Sequence, residues 1–305
     1  MTAAKQAIIV VGGAGALGKS LINSLRTSPG SSASSIISVD FFPNPRATHS
    51  VPLMATIGSI TWPETAMQAL AKVRACLKDE GGSEMPCRAV LHVAGGWSGG
   101  GVHDPGFLES MNRMWICNVQ SAALAAHMAG LYLRPQYPSV GRQAGMGDAT
   151  RDVGDGGTKS GGLMVLTGAG AAVDPKACVS MVGYGLSKSA THFLTRTVAV
   201  DPEVVRAGLT ALSILPTTID TPANRMVMPD ADFGEWTRVG FGRGERKIHG
   251  ERAHGCSIWS LMGTYLPLQP EIIAERLVTW VEDASQRPAS GSLIRVRMQE
   301  CALLQ

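Results

Sequence analysis

Short apolar runs rich in β-branched residues alternate with longer helical patterns along most of the chain, and this alternation constrains the fold more than any other feature. The runs at 7–11, 36–39, 88–93, 162–166, 209–215 and 292–296 are too short for helices and too continuously apolar for half-exposed strands. They read as strands buried on both faces. Between them, segments 16–27, 62–78, 107–132, 183–200 and 270–284 carry helical periodicity and are long enough to act as the crossovers that parallel strands require. The expectation is an α/β fold, a doubly wound parallel sheet with helices on both faces.

Two segments break the rhythm. Residues 134–161 are rich in Gly, Pro, Asp and Ser, and 237–267 mix basic residues with Gly before a more apolar stretch. Both read as surface insertions in one domain spanning 1–305, because strand-like sequence resumes after each of them. With 45% hydrophobic and 17% charged residues the chain has enough apolar surface for a core, which excludes global disorder. The formal charge of +3 comes with no basic stripe, so no nucleic-acid partner is expected. No apolar run approaches the roughly 18 residues of a bilayer span, and only six residues precede the first strand, so a cytoplasmic protein is expected. Cys301 stands one place too early for a prenylation box. The six cysteines are scattered without a C-x-x-C pair and read as reduced thiols. His249, His254 and Cys256, with Glu251 between them, match no common metal spacing, so no metal is expected.

The first strand runs into Gly12-Gly13-Ala14-Gly15-Ala16-Leu17-Gly18, in which Gly13, Gly15 and Gly18 satisfy G-x-G-x-x-G, and a helical pattern follows at once. Strand, glycine turn and helix in that order make a Rossmann-type dinucleotide loop. Glycine permits a tight turn and a close approach of backbone to a pyrophosphate, and the amides of Ala16, Leu17 and Gly18 open the helix toward the anion. Asp40 ends the second strand about 20 residues after the last glycine, where a carboxylate hydrogen-bonds ribose hydroxyls and repels a 2′-phosphate. Ala14 adds no basic side chain, so NADH is expected over NADPH, although Arg46 lies further along.

Tyr184 and Lys188 form Y-x-x-x-K, and a separation of four puts both on one helix face. An ammonium beside a phenol is expected to lower the phenol's pKa from about 10 and let it exchange a proton near neutrality. Alone the pair is an ordinary solvated helix pair. Downstream of a dinucleotide loop it is a candidate catalytic pair.

With both features present the chain resembles the short-chain dehydrogenase/reductases. The strings Val93-Ala94-Gly95-Gly96-Trp97, Gly183-Tyr184-Gly185, Leu215-Pro216, Asp220-Thr221-Pro222, Asn224-Arg225, Met228-Pro229, Ala231-Asp232-Phe233, Trp236-Thr237 and Ser290-Gly291-Ser292-Leu293-Ile294 are similar to the quinonoid dihydropteridine reductase branch. The resemblance implies Tyr184 as proton donor and Lys188 as its electrostatic partner and ribose ligand. It implies Asn118 as the helix residue that holds a water near the lysine, unless it is only a polar residue of the helix interior. It places Ala94, Gly95, Gly96, Pro216 and Ile219 along the cofactor, and makes Trp97 either a stacking platform for a flat pterin or a packing residue. The superfamily's catalytic serine, about 13 residues before the tyrosine, falls on Ala171, which has no hydroxyl.

The resulting expectation is an NADH-dependent reductase of quinonoid dihydropterin. The alternatives are a short-chain reductase acting on a carbonyl or on another pterin, and a non-catalytic dinucleotide sensor. The resemblance also implies a homo-oligomer, a dimer or a dimer of dimers, pairing helices 107–132 and 183–200 across a two-fold axis.

Overall fold

The computed structural model describes residues 6–53, 61–79, 81–133, 161–217, 219–220, 226, 237–238, 270–296 and 301–304. Strands β1 (Ala7–Val11), β2 (Ser35–Asp40), β3 (His49–Pro52), β4 (Cys87–His92), β5 (Leu163–Thr167) and β6 (Thr210–Pro216) are followed by a short parallel pair, β7 (Ile219–Asp220) with β8 (Thr237–Arg238), and by β9 (Leu293–Val296) and β10 (Cys301–Leu304). The large sheet has the order β3-β2-β1-β4-β5-β6-β9-β10. Its first seven strands are parallel and β10 adds antiparallel to β9. The expected α/β doubly wound sheet is therefore present.

Strand β1 feeds both faces of the sheet, as the two-residue period of a strand dictates. Ala7, Ile9 and Val11 of β1 join one core cluster, against helices α2 (Trp62–Cys76), α4 (Ser121–Tyr132) and α5 (Val182–Val200). Ile8 and Val10 join the other, against α1 (Ala16–Thr27) and α7 (Pro270–Glu282), where Trp280 is buried with Leu21, Ile22 and Leu25. Helix α2 begins on a capping box: Thr61 N–H donates to Glu64 Oε2 at 2.6 Å, and that bond helps hold the Glu64 pKa below its ordinary value. Helix α6 (Pro202–Arg206) fills the turn before β6, with Asp201 accepting from the Glu203 amide.

Three elements depart from the sequence reading. The single helix expected over 107–132 is α3 (Phe107–Met114) and α4 joined by a π-helical turn, Trp115–Gln120, a distortion that residue periodicity cannot reveal. Strand β3 was hidden because only Val51 of its four residues is buried and Pro52 ends it, as suits an edge. The strand at 292–296 is not the last, since β10 follows it. The insertions read at 134–161 and 237–267 lie outside the described residues except for Gly161 and β8, and so do His249, Glu251, His254 and Cys256.

All seven parallel strands end on one edge, which brings Val11, Asp40, His92, Thr167 and Pro216 to the same end of the sheet. The chain reverses its direction of travel between β1 and β4, and a crevice opens beyond strand ends at such a point.

Candidate active site

The nucleotide half is built mainly from backbone. Gly12 has φ 92°, a left-handed conformation that favours glycine, and a Cβ there would overlap the Ala94 backbone where β4 leaves the sheet. A Cβ on Gly13 would strike Ser38 Oγ, and one on Gly18 would strike Gly12 O. Gly15 is different: φ is −67°, its surface is exposed, and a Cβ would meet only Gly12 O at 3.4 Å, an ordinary contact. Nothing among the described residues requires glycine at that position. A pyrophosphate passing over it would, and Gly15 is the N-cap of α1 with no capping side chain, so the first amides of Ala16, Leu17 and Gly18 have no side-chain acceptor. The loop thus fits a dinucleotide by its own stereochemistry.

Asp40 sits against this loop, its Oδ2 accepting from Ala14 N–H at 2.9 Å and its Oδ1 from Phe41 N–H at 2.7 Å. The buried Asn44, which the sequence reading overlooked, donates from Nδ2 to Gly13 O at 2.7 Å and fixes the loop from behind. An asparagine in a turn looks like turn chemistry, and nothing local marks the partner 31 residues away.

The other half is built from buried side chains. Lys188 is 3% exposed and its Nζ donates to Thr167 O at 2.9 Å. Burial lowers its pKa to about 8, against a smaller opposite effect of Cys117. Tyr184, one turn earlier on α5, is pushed up to about 12 by burial and by Cys178. The expected lowering by the lysine is not found, because the loss of solvent on burial outweighs it. The Tyr184 hydroxyl has no hydrogen-bond partner among the described residues and is left as a protonated donor.

Asn118 lies in the π-helical turn and is fully buried. Its Oδ1 accepts from Gly96 N–H at 2.9 Å, while Nδ2 lies 3.1 Å from Gly96 O and 2.9 Å from Ser187 Oγ. Both ends of the amide are thus engaged in holding the Ala94-Gly95-Gly96 loop against α5. Gly95, at φ 153°, lies beside this pair: a Cβ would stand 2.8 Å from Asn118 Oδ1 and 3.0 Å from Lys188 Nζ.

Trp97 is half-buried and donates from Nε1 to Met181 Sδ at 3.2 Å. Gly100 bridges to the start of α5, accepting from Val182 N–H at 3.0 Å and donating to Ser180 O at 2.7 Å, so the Trp97 loop is clamped rather than loose. Cys178 Sγ donates to Ala171 O at 3.3 Å and Met181 N–H to Cys178 O at 3.0 Å. Trp97 is thus tied to Met181 through its indole, and Met181 and Cys178 are tied through main-chain oxygens within the segment that leads into α5. Pro216 O accepts from Gly170 N–H at 3.1 Å, and Ile219 lies in β7, whose side chains are outside the described set.

Two buried histidines complete this half. His92 accepts from Thr167 N–H through Nδ1 at 3.3 Å, and His192 accepts from Ala169 N–H through Nε2 at 3.1 Å. Burial, with Lys188 as a second cause, lowers them to about 3 and about 4. Both are neutral at pH 7.

No family model matches the chain. It is 29% identical over 288 residues, 94% of this chain and 93% of the other, to a Dictyostelium discoideum protein named dihydropteridine reductase. Among solved structures it resembles a short chain dehydrogenase family protein from Francisella tularensis, with a TM-score of 0.60, 16% identity, and 96% and 97% of the two chains covered. An aldohexose dehydrogenase from Thermoplasma acidophilum gives a TM-score of 0.60 at 15% identity, covering 97% of this chain and 93% of that one. With its sheet order and its crevice beyond β1 and β4, the chain has the fold of the short-chain dehydrogenase/reductases and is a homologue of a dihydropteridine reductase.

Proposed function

We propose that the protein is an NADH-dependent reductase of quinonoid dihydropterin, yielding the tetrahydropterin. The carrying observation is the bond from Trp97 Nε1 to Met181 Sδ, which fixes an indole beside the segment leading into α5 and Tyr184, together with Ala171 at the place of the superfamily's serine. A flat conjugated ring suits a site with one indole and one phenol, since it stacks on an aromatic face and needs one well-placed acid. The homologue's name points the same way.

In this reading the Gly12–Gly18 loop takes the pyrophosphate and Asp40 the adenosine ribose, which favours NADH over NADPH. The dinucleotide supplies the hydride when bound. Tyr184 O–H delivers the proton; its high pKa keeps it protonated across the working range. Lys188 carries the positive charge beside the Gly95 loop and holds the nicotinamide ribose. Asn118 keeps that loop in register, and Pro216 and Ile219 border the nicotinamide end. NADH oxidation followed with quinonoid dihydropterin, with NADPH and with a ketone panel tests the reading. Ketones reduced as fast as the pterin, or equal use of NADH and NADPH, would refute it.

Self-association belongs to the same proposal. Leu186, Phe193 and Val200 repeat every seven residues on α5 and are 48%, 73% and 74% exposed, while Leu108, Trp115 and Ile116 are exposed along α3 and the π-turn. Such apolar stripes fit a two-fold contact between copies, as a dimer or a dimer of dimers. Sedimentation at micromolar concentration tests this, and a monomer alone would rule it out.

A further inference from the structure

The hydrogen-bond ladder between β4 and β5 runs from Ala89 and Leu163 only as far as Leu91 and Val165. Beyond it the strand ends are joined by side chains. Thr167 Oγ1 donates to His92 O at 2.7 Å, and Thr167 N–H donates to His92 Nδ1 at 3.3 Å. An Nδ1 that accepts carries no proton, so a neutral ring has its proton on Nε2, which lies 2.9 Å from Ser121 Oγ. Ser121 Oγ in turn donates to Cys117 O at 2.6 Å. One tautomer satisfies every group, and the direction is the same throughout: Thr167 to His92, His92 to Ser121, Ser121 to the π-helical turn.

Both ends of this chain meet the candidate site. Thr167 O accepts from Lys188 Nζ, and Cys117 directly precedes Asn118, whose amide holds Gly96. We propose that His92 is a positioning residue: it spans the gap where the two strands part and sets Lys188 at a fixed distance from Asn118 and the Gly95 loop. It touches neither hydride nor proton. The catalytic side of the proposal rests on the function proposed above.

Among the described residues the titratable groups that interact with Lys188 are Cys117 from the π-turn, His92 from β4 and His192 from α5, with Tyr184 one turn before it on α5. The Thr167 carbonyl is the lysine's hydrogen-bond acceptor. Letting Thr167 drift removes that acceptor from the ammonium, and the lysine then loses its proton more readily.

Two substitutions divide the imidazole into its halves. His92→Asn puts an amide oxygen where Nδ1 stood and keeps the acceptor for Thr167 N–H. His92→Gln reaches Ser121 but leaves Thr167 N–H without its acceptor. The readouts are the Lys188 titration followed by NMR of its Cε and Nζ, which needs no substrate, and kcat and NADH Kd. We expect His92→Gln to lower the Lys188 midpoint and reduce kcat about 10-fold with NADH Kd within about twofold, and His92→Asn to restore both. Ser121→Ala, the milder change, moves both in the same direction as His92→Gln, and carries the test if the glutamine variant does not fold. An unchanged Lys188 midpoint in folded His92→Gln or Ser121→Ala overturns the proposal. So do equal losses in the Asn and Gln variants that merely track Tm. A parent protein that leaves quinonoid dihydropterin unreduced would refute the function instead, while the Lys188 midpoint would still judge His92.

Discussion

The two halves of the crevice are made by different means. In the nucleotide half, Gly12, Gly13 and Gly18 are glycines because backbone or a short side chain occupies the place of a Cβ, and only Gly15 leaves its space open. In the other half, position comes from buried polar side chains: Lys188 to Thr167, Asn118 to Gly96 and Ser187, His92 to Thr167 and Ser121, His192 to Ala169. A half built from backbone is fixed by local stereochemistry. A half built from side chains holds only while each group keeps the protonation state its partners require, so the two should fail in different ways.

The sharpest contrast comes from Tyr184→Phe. Removing the hydroxyl leaves the glycine loop untouched, so kcat should fall by about 100-fold or more while the Kd for NADH stays near that of the parent. Stopped-flow reduction and NADH fluorescence titration measure the two separately. Full activity in the phenylalanine variant would remove Tyr184 as the acid.

Acid should strike the side-chain half first. His92 and His192 titrate near 6.5 when unfolded but at about 3 and about 4 in the fold, so between those values the unfolded chain binds more protons. Stability is fully present above pH 6.5 and falls as pH descends toward the folded values, by up to about 1.4 kcal/mol per pH unit for each ring. Urea midpoints at pH 7 and pH 5 measure the loss, and His192→Asn should flatten the slope. Equal midpoints would show that the rings take up protons without cost.

Within the backbone half, Gly18→Ala and Gly15→Ala should separate. A Cβ on Gly18 meets Gly12 O and lies 2.7 Å from Gly13 Cα, backbone that can yield only by distorting β1 or α1. The expected cost is about 1–3 kcal/mol or more, read as a fall in Tm. A Cβ on Gly15 meets no such obstacle, so Tm should stay put while NADH binding weakens by about 10-fold. A Gly15→Ala protein with parental NADH affinity would show that no pyrophosphate passes over that residue. Asp40→Ala is a smaller change in the same half: it should narrow the NADH preference by about 10-fold, and an unaltered NADH-to-NADPH ratio would clear Asp40 of that role.

The same division explains what could be read from the residues alone. The glycine loop, Asp40, and the strands 7–11 and 209–215 announce themselves because local stereochemistry and short-range periodicity determine them. Tyr184 and Lys188 were visible because they are one helical turn apart. His92 and Thr167 were not: they stand 75 residues apart, His92 looks like the polar end of an apolar strand, and the bond between them exists only once β4 and β5 lie side by side. Asn44 was missed for the same reason, and the π-turn at Trp115–Gln120 because its residues keep an ordinary helical pattern. The tyrosine's raised pKa is not legible in the spacing, which shows that a lysine is near but not how deeply the phenol is buried.

The smallest expected effect is none at all. Restoring a hydroxyl by Ala171→Ser would supply the second donor that carbonyl reduction uses, where charge gathers on one oxygen and a lost donor costs about 100-fold or more. On the proposed function, a quinonoid pterin spreads its developing charge over several ring heteroatoms, so one positioned acid, Tyr184, is expected to suffice. Cys178 already donates to Ala171 O and holds the turn, and the substitution leaves that carbonyl in place. Turnover of quinonoid dihydropterin by Ala171→Ser should therefore equal that of the parent within about twofold, with activity toward simple ketones the only rate free to rise. A pterin rate that climbs with the new hydroxyl would mean that the charge is localised after all, and that the alanine at 171 reflects something other than the substrate's chemistry.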